Sequence, residues 1–371
     1  MQPDIPDTGL MWIAVCGVII LVLAWYNGAN DVAKGIATLV GSDCATPRRA
    51  VWWGSLCTVA GGLAATVWSA ALVDTFSRGL LAPGFSADFF YLISAVLGAA
   101  GWIMLATRLG LPVSTTHALL GGIIGAALAA AGPEALHASA IAGKAMLPLL
   151  VSPLIAIALC WILLVLGKWV AQRVPAWRPG CCAQDEWRKN PFLCDPARSA
   201  IPPTPRQRRI ERSLSLLHWL SSGVTSFARG LNDVPKIAAF LLLALGLLPG
   251  AVTAAPAGTP IVAVTLAMGL GCLWGGYRVL AVMAHRVAPL DRRNAVVANV
   301  TTSSLVLLAS PLGLPVSTTH VSTGALFGVR LGERQAPEGK DALKLIFTGW
   351  LVTLPVAAGL AATGSWLLRG F

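Results

Sequence analysis

Two short polar strings each occur twice in this chain. Residues 30–34 read N-D-V-A-K and residues 232–236 read N-D-V-P-K, while G-L-P-V-S-T-T-H stands at 110–117 and again at 313–320. Asp31 and Lys34, like Asp233 and Lys236, are three residues apart, a spacing that sets a carboxylate and an ammonium on one face of a helix. Both pairs, with Asn30 and Asn232, interrupt strongly apolar sequence. An ionised group at membrane depth costs at least ~2.5–3.5 kcal/mol, so such pairs must face each other, water or a ligand. The plainer reading is an ion-pair network that pins the two copies together. In the second string Pro112 or Pro315 breaks a helix. Ser114, Thr115 and Thr116, and again Ser317, Thr318 and Thr319, then stand at the start of the next one. A helix start offers free N–H groups, hydroxyl donors and the positive end of the dipole, which together suit an anion. Two such starts can clasp one tetrahedral oxyanion from both sides; the plainer reading is that each caps a broken helix. His117 and His320 end the strings and are candidate relays, or simply satisfied hydrogen-bonding groups. Arg229 stands beside the second Asp motif where the first has Asn27, and adds positive charge there.

The elements that must position these groups come in two sets. The motifs recur in one order at offsets of 202 residues (Asn30 to Asn232) and 203 residues (Gly110 to Gly313), which marks a duplication of nearly half the chain. Hydrophobic residues make up 56% and charged residues 12%, with mean hydropathy +0.72. A soluble domain carries about 25% charged residues, so the chain is expected to be an all-α integral membrane protein. Apolar segments fall at roughly 10–41, 50–74, 89–131 and 139–167, and again at roughly 213–250, 259–283, 294–331 and 343–368, the first and third of each set being interrupted by the motifs. Gly28 and Gly230 mark places where the first helix of each half could unwind. The expected organisation is a first transmembrane repeat over 1–167, a basic linker over 168–212 and a second repeat over 213–371. That linker holds ten Lys or Arg against four Asp or Glu, and seven prolines, and the positive-inside rule makes it cytoplasmic. Contact with anionic lipid is the sharper reading of its charge, and nucleic-acid binding is not expected. Both termini then lie outside, and each half crosses an odd number of times. This is an inverted repeat with broken helices or re-entrant segments at its core, in a multi-pass protein of the inner (plasma) membrane. Cys181, Cys182 and Cys194 lie in the linker without zinc-ligand spacing and read as free thiols. The start M-Q-P-D-I-P-D lacks a basic n-region, so no cleaved signal is expected. No metal or cofactor is expected.

At these residues the chain resembles the PiT family of inorganic phosphate transporters, on G-A-N-D-V-A at 28–33 and the doubled P-V-S-T-T-H, and over both halves apart from the linker. The resemblance implies an inverted-repeat membrane protein, a homodimer, carrying phosphate with sodium or protons. It implies phosphate bound by the Ser/Thr helix starts and a cation near Asn30, Asp31, Asn232 and Asp233. The chain departs from the family at Lys34 and Lys236, where members usually carry Asn. It also lacks carboxylates around 55–61 and 296–302, where Thr58 and Asn299 stand. An ammonium three residues after an Asp can play the electrostatic part of a bound monovalent cation. The expectation is therefore proton-coupled, sodium-independent phosphate transport by alternating access, with Lys34 and Lys236 as proton carriers beside Asp31 and Asp233. The alternatives are lysines that snorkel to the interface and leave sodium coupling intact, another tetrahedral oxyanion such as sulfate, an anion channel, or a membrane-embedded enzyme. The last is disfavoured because no H-E-x-x-H or similar catalytic string occurs.

Overall fold

In the computed structural model the described residues are 8–173, 205–247, 258–284, 291–332 and 340–370. The first half contributes α1 (Thr8–Gly41), α2 (Pro47–Trp68), α3 (Phe89–Arg108), α4 (Thr115–Ala131) and α5 (Leu147–Arg173). The second contributes α6 (Pro205–Gly246), α7 (Thr259–Gly275), α8 (Arg292–Ala309), α9 (Thr318–Gly332) and α10 (Lys340–Arg369). The caps are local and readable. Asp88 accepts from the Tyr91 N–H at 2.8 Å to start α3, and Asp291 from the Asn294 N–H at 2.9 Å to start α8. Pro47 and Pro260 sit in the first turns of α2 and α7, where a missing N–H costs nothing. Pro153 and Pro355 fall inside α5 and α10, again 202 residues apart. Large apolar side chains point outward, with Leu351 80% exposed and Val67 75%, as expected where lipid is the solvent.

Packing partners interchange when the halves are exchanged. α1 packs on α7 and α6 on α2; α10 packs on α3 and α4 and α5 on α8 and α9; α3 packs on α1 and α8 on α6. Small residues set the closest of these crossings. A Cβ on Gly28 would overlap the carbonyl of Met268, and one on Gly271 that of Trp25. Across the other crossing, a Cβ on Gly230 would overlap the carbonyl of Thr58, and one on Gly61 that of Phe227. These glycines are therefore not unwinding points. Contrary to the sequence-based expectation, α1 and α6 run unbroken through both Asp motifs. The i,i+3 pair already neutralises its own charge along a continuous helix, so unwinding would expose backbone without relieving anything.

The third segments do break. Gly110 (φ 72°) and Gly313 (φ 68°) take the same left-handed conformation at equivalent positions, where a Cβ would be strained. α3 and α4 thus form one hairpin and α8 and α9 another. Phe89–Arg108 is long and apolar enough to cross a membrane. Its end, however, is held by Asn30 deep within α1, so the chain turns back there. The two tips meet. The first hairpin's far end lies where Arg369 bonds Asp88 at 2.8 Å, and the second's where Lys168 donates to the Gly332 carbonyl at 2.9 Å. The hairpins thus touch at their tips, while each far end is held by the last turns of a helix from the other half. α5 runs on to Arg173 and α6 already begins at Pro205, so both ends of the 168–212 stretch are helical; its middle, with Cys181, Cys182 and Cys194, lies outside the described residues.

Candidate functional site

Each hairpin tip is pinned by an asparagine. Asn30 donates to Thr107 Oγ1 at 3.1 Å and to the Leu111 carbonyl at 2.9 Å, and its Oδ1 accepts from the Val113 N–H at 3.2 Å. Asn232 donates to the Val316 carbonyl at 3.2 Å and accepts from Ser310 Oγ at 3.3 Å. Thr107 and Ser310 are 203 residues apart, the same offset as the Gly-Leu-Pro strings. The two are different residue types, so sequence identity does not mark them as equivalent although their offset does. Asn27, also unassigned from sequence, bridges Thr115 Oγ1 at 2.8 Å and Asp31 Oδ2 at 3.4 Å.

The lysines do not snorkel: Lys34 is 5% and Lys236 1% exposed. Lys34 Nζ is ion-paired with Asp31 and donates to the Val113 carbonyl at 2.9 Å. Lys236 Nζ donates to Thr116 Oγ1 at 2.8 Å and the Val316 carbonyl at 3.0 Å, and meets Asp233 Oδ1 at 3.5 Å. Each ammonium thus sits among oxygens from a carboxylate, a hairpin-tip carbonyl and, for Lys236, a hydroxyl of the opposite repeat. The tips are tied to each other as well. Thr116 Oγ1 donates to the Val316 carbonyl at 3.3 Å and Thr319 Oγ1 to the Val113 carbonyl at 2.9 Å. Ser114 and Ser317 are committed as caps, accepting from the His117 and His320 N–H groups at 3.2 and 3.3 Å. Thr115 donates to Asp31 at 3.4 Å, and Thr318 is buried at the start of α9. The His117 and His320 rings face each other with centroids 4.4 Å apart, and Trp350 covers His320 at 3.9 Å.

Arg229 stands to one side of the tips. It is 1% exposed, and its Nη2 donates to Thr58 Oγ1 at 2.6 Å and to Cys272 Sγ at 3.2 Å. Its Nε and Nη1, together with Asp233 Oδ2 and Asn27 Oδ1, have no hydrogen-bond partner among the described residues. With every group ionised, Asp31 and Asp233 face three cations, Lys34, Lys236 and Arg229, which leaves one buried positive charge in excess. An uncompensated buried charge is costly. No cluster of His, Cys, Asp and Glu suited to a metal occurs among the described residues.

Two similar halves, hairpins that meet at their tips and a buried polar centre wrapped in an apolar exterior define a multi-pass membrane transporter. The chain matches the phosphate transporter family over residues 27–361, and it belongs to that family. It is 27% identical to a protein of Rhizobium meliloti named "Probable low-affinity inorganic phosphate transporter", over 96% of this chain and 97% of that one. A protein of the same name from Mycobacterium leprae is 25% identical, over 98% and 80%. A solved structure entitled "The sodium-dependent phosphate transporter" shares the fold with a TM-score of 0.81 at 23% identity, over 97% of this chain and 100% of that one. The chain is accordingly a transporter of this family and not an enzyme.

Proposed function

We propose that the protein moves inorganic phosphate across the inner membrane by alternating access, coupled to protons and independent of sodium. The observation that carries this reading is the oxygen cage around each lysine ammonium. Carboxylate, carbonyl and hydroxyl oxygens are the ligands a hard cation seeks. In both halves those positions are filled by a cation tethered to the chain, at Lys34 and Lys236. Phosphate binds between the tips, displacing the crossed bonds of Thr116 and Thr319 and taking donors from the first turns of α4 and α9. Proton loss from an ammonium frees its carboxylate and weakens that half's hold on the tip, so protonation and access are linked. In this reading the halves are inverted in the membrane, the linker 168–212 is cytoplasmic and both termini lie outside. The homodimer implied by the resemblance is kept as part of it.

The test is uptake of labelled phosphate into proteoliposomes, with pH and sodium gradients imposed separately and sulfate as competitor. Replacing sodium by choline at fixed pH is expected to leave uptake unchanged, while an inward proton gradient drives it. Collapse of uptake in choline, with the same sodium requirement in Lys34→Asn, would overturn the coupling assignment. Equal competition by sulfate would overturn the choice of phosphate.

A further inference from the structure

Behind Lys34, on the side where α5 ends and α6 begins, lies a narrow cavity lined by Lys34, Thr38, Asn299, Thr302 and Ser322. It is just large enough for a water molecule, which these five polar side chains can bond, while Ala37, Met283, Ala298 and Leu326 close the rest of its wall. Thr38 Oγ1, one helical turn beyond Lys34, exchanges hydrogen bonds with the Asn299 amide at 3.2 and 3.3 Å and lies 3.1 Å from His218 Nε2. His218 is fully buried, and its Nδ1 has no partner among the described residues. It sits within a turn of the Gly41 end of α1, close to the linker side. The cluster has no counterpart in the other half. The repeat offsets map His218, Thr38 and Asn299 onto Cys16, Phe240 and Val96, all buried in one apolar cluster. A duplicated protein that is polar on one side and dry on the other has specialised that side.

We propose that Thr38, Asn299 and His218 form the inner half of a proton path, with His218 as a relay between Lys34 and the linker side. This rests on the proton-coupled reading above. The Lys34 ammonium gives its proton to a water in the cavity, which passes one to the Thr38 hydroxyl. Thr38 hands its own proton to His218 Nε2, and the imidazolium releases the proton from Nδ1 toward the linker side. One proton leaves Lys34 and one is delivered, with no other bond made. Arg292 of α8 is the charged group that acts on His218, and Lys34 of α1 lines the cavity on the other side of Thr38. The Cys44 thiol after α1 lies a turn away on Ser215, and α2 presents Trp53, which packs on Trp219. No carboxylate accompanies them in these contacts, so the imidazolium is a passing state and not a resting one.

His218→Gln keeps an amide to bond Thr38 but cannot carry a proton. In proteoliposomes, net proton-driven phosphate uptake is expected to fall roughly a hundredfold, the scale contributed by a positioned proton carrier. Phosphate–phosphate exchange at equal pH, which needs no proton release, is expected to persist. Parallel loss of uptake and exchange would make His218 a packing residue and overturn the proposal, as would net uptake at the wild-type rate. A wild-type protein that carries phosphate without protons would overturn the coupling itself, and the relay with it. A pH-sensitive dye trapped in the vesicles separates that outcome from failure of the relay alone.

Discussion

Lys34 and Lys236 hold their carboxylates with the geometry of an i,i+3 pair, and each reaches past its own helix to a carbonyl at a hairpin tip. The hydroxyls between the tips are the groups a bound oxyanion meets first. Replacing Thr116 or Thr319 by Val keeps the shape and removes a donor. A hydrogen bond to a charged ligand contributes roughly 1.5–3 kcal/mol, about ten- to a hundredfold in affinity. Each variant is expected to raise the apparent phosphate KM by that factor, and unchanged affinity in both would remove the threonines from the site. At this scale much was legible in advance. Helix geometry alone fixed the Asp–Lys pairs, and the doubled Ser-Thr-Thr string marked the helix starts. The serines were legible as caps or as ligands, and their bonds to His117 and His320 give them the capping part. Arg229 was visible as a break in symmetry, but its partners Thr58 and Cys272 come from two other helices that no local spacing identifies.

Among the elements, the helix crossings at Gly28 and Gly230 lock the two halves together. Gly230→Ala drives a methyl group into the Thr58 carbonyl. Overpacking of this kind costs typically about 1–3 kcal/mol, so the variant is expected to lose thermal stability in detergent. Gly359→Ala, in α10 with nothing near its added Cβ, is expected to be neutral or slightly stabilising through helix propensity. Equal melting temperatures for the two variants would contradict the crossing as described. The glycines also show where sequence reading stopped. A glycine beside a buried charge suggests a place to unwind, and only the approach of a second helix reveals that it makes room. The hairpin turns were the reverse case: Gly-Leu-Pro before a capping serine announced the break, although the depth at which the chain turns is set by Asn30 and Asn232.

Across the whole molecule, the charge of the linker argues for one arrangement in the membrane, with the linker inside and both termini outside. Single cysteines at Ser86, in the exposed connection before α3, and at Ser199, in the linker, test it in a background without other cysteines. An impermeant thiol reagent applied to intact cells is expected to label position 86 and spare position 199; the opposite pattern would reverse the orientation. The duplication and the class were plain from repeat and hydropathy, whereas the polar half-path at His218 was hidden, because its residues are far apart in the chain and lack a repeat partner. The interchange of packing partners reaches further. α1 rests on α7, α2 on α6, and α5 and α10 each flank the hairpin of the other half. Much of each half's packing surface is met by the other half. A half expressed alone would therefore leave bare the faces of α1 and α2 that meet α7 and α6, and is expected to be stable only with a second half beside it.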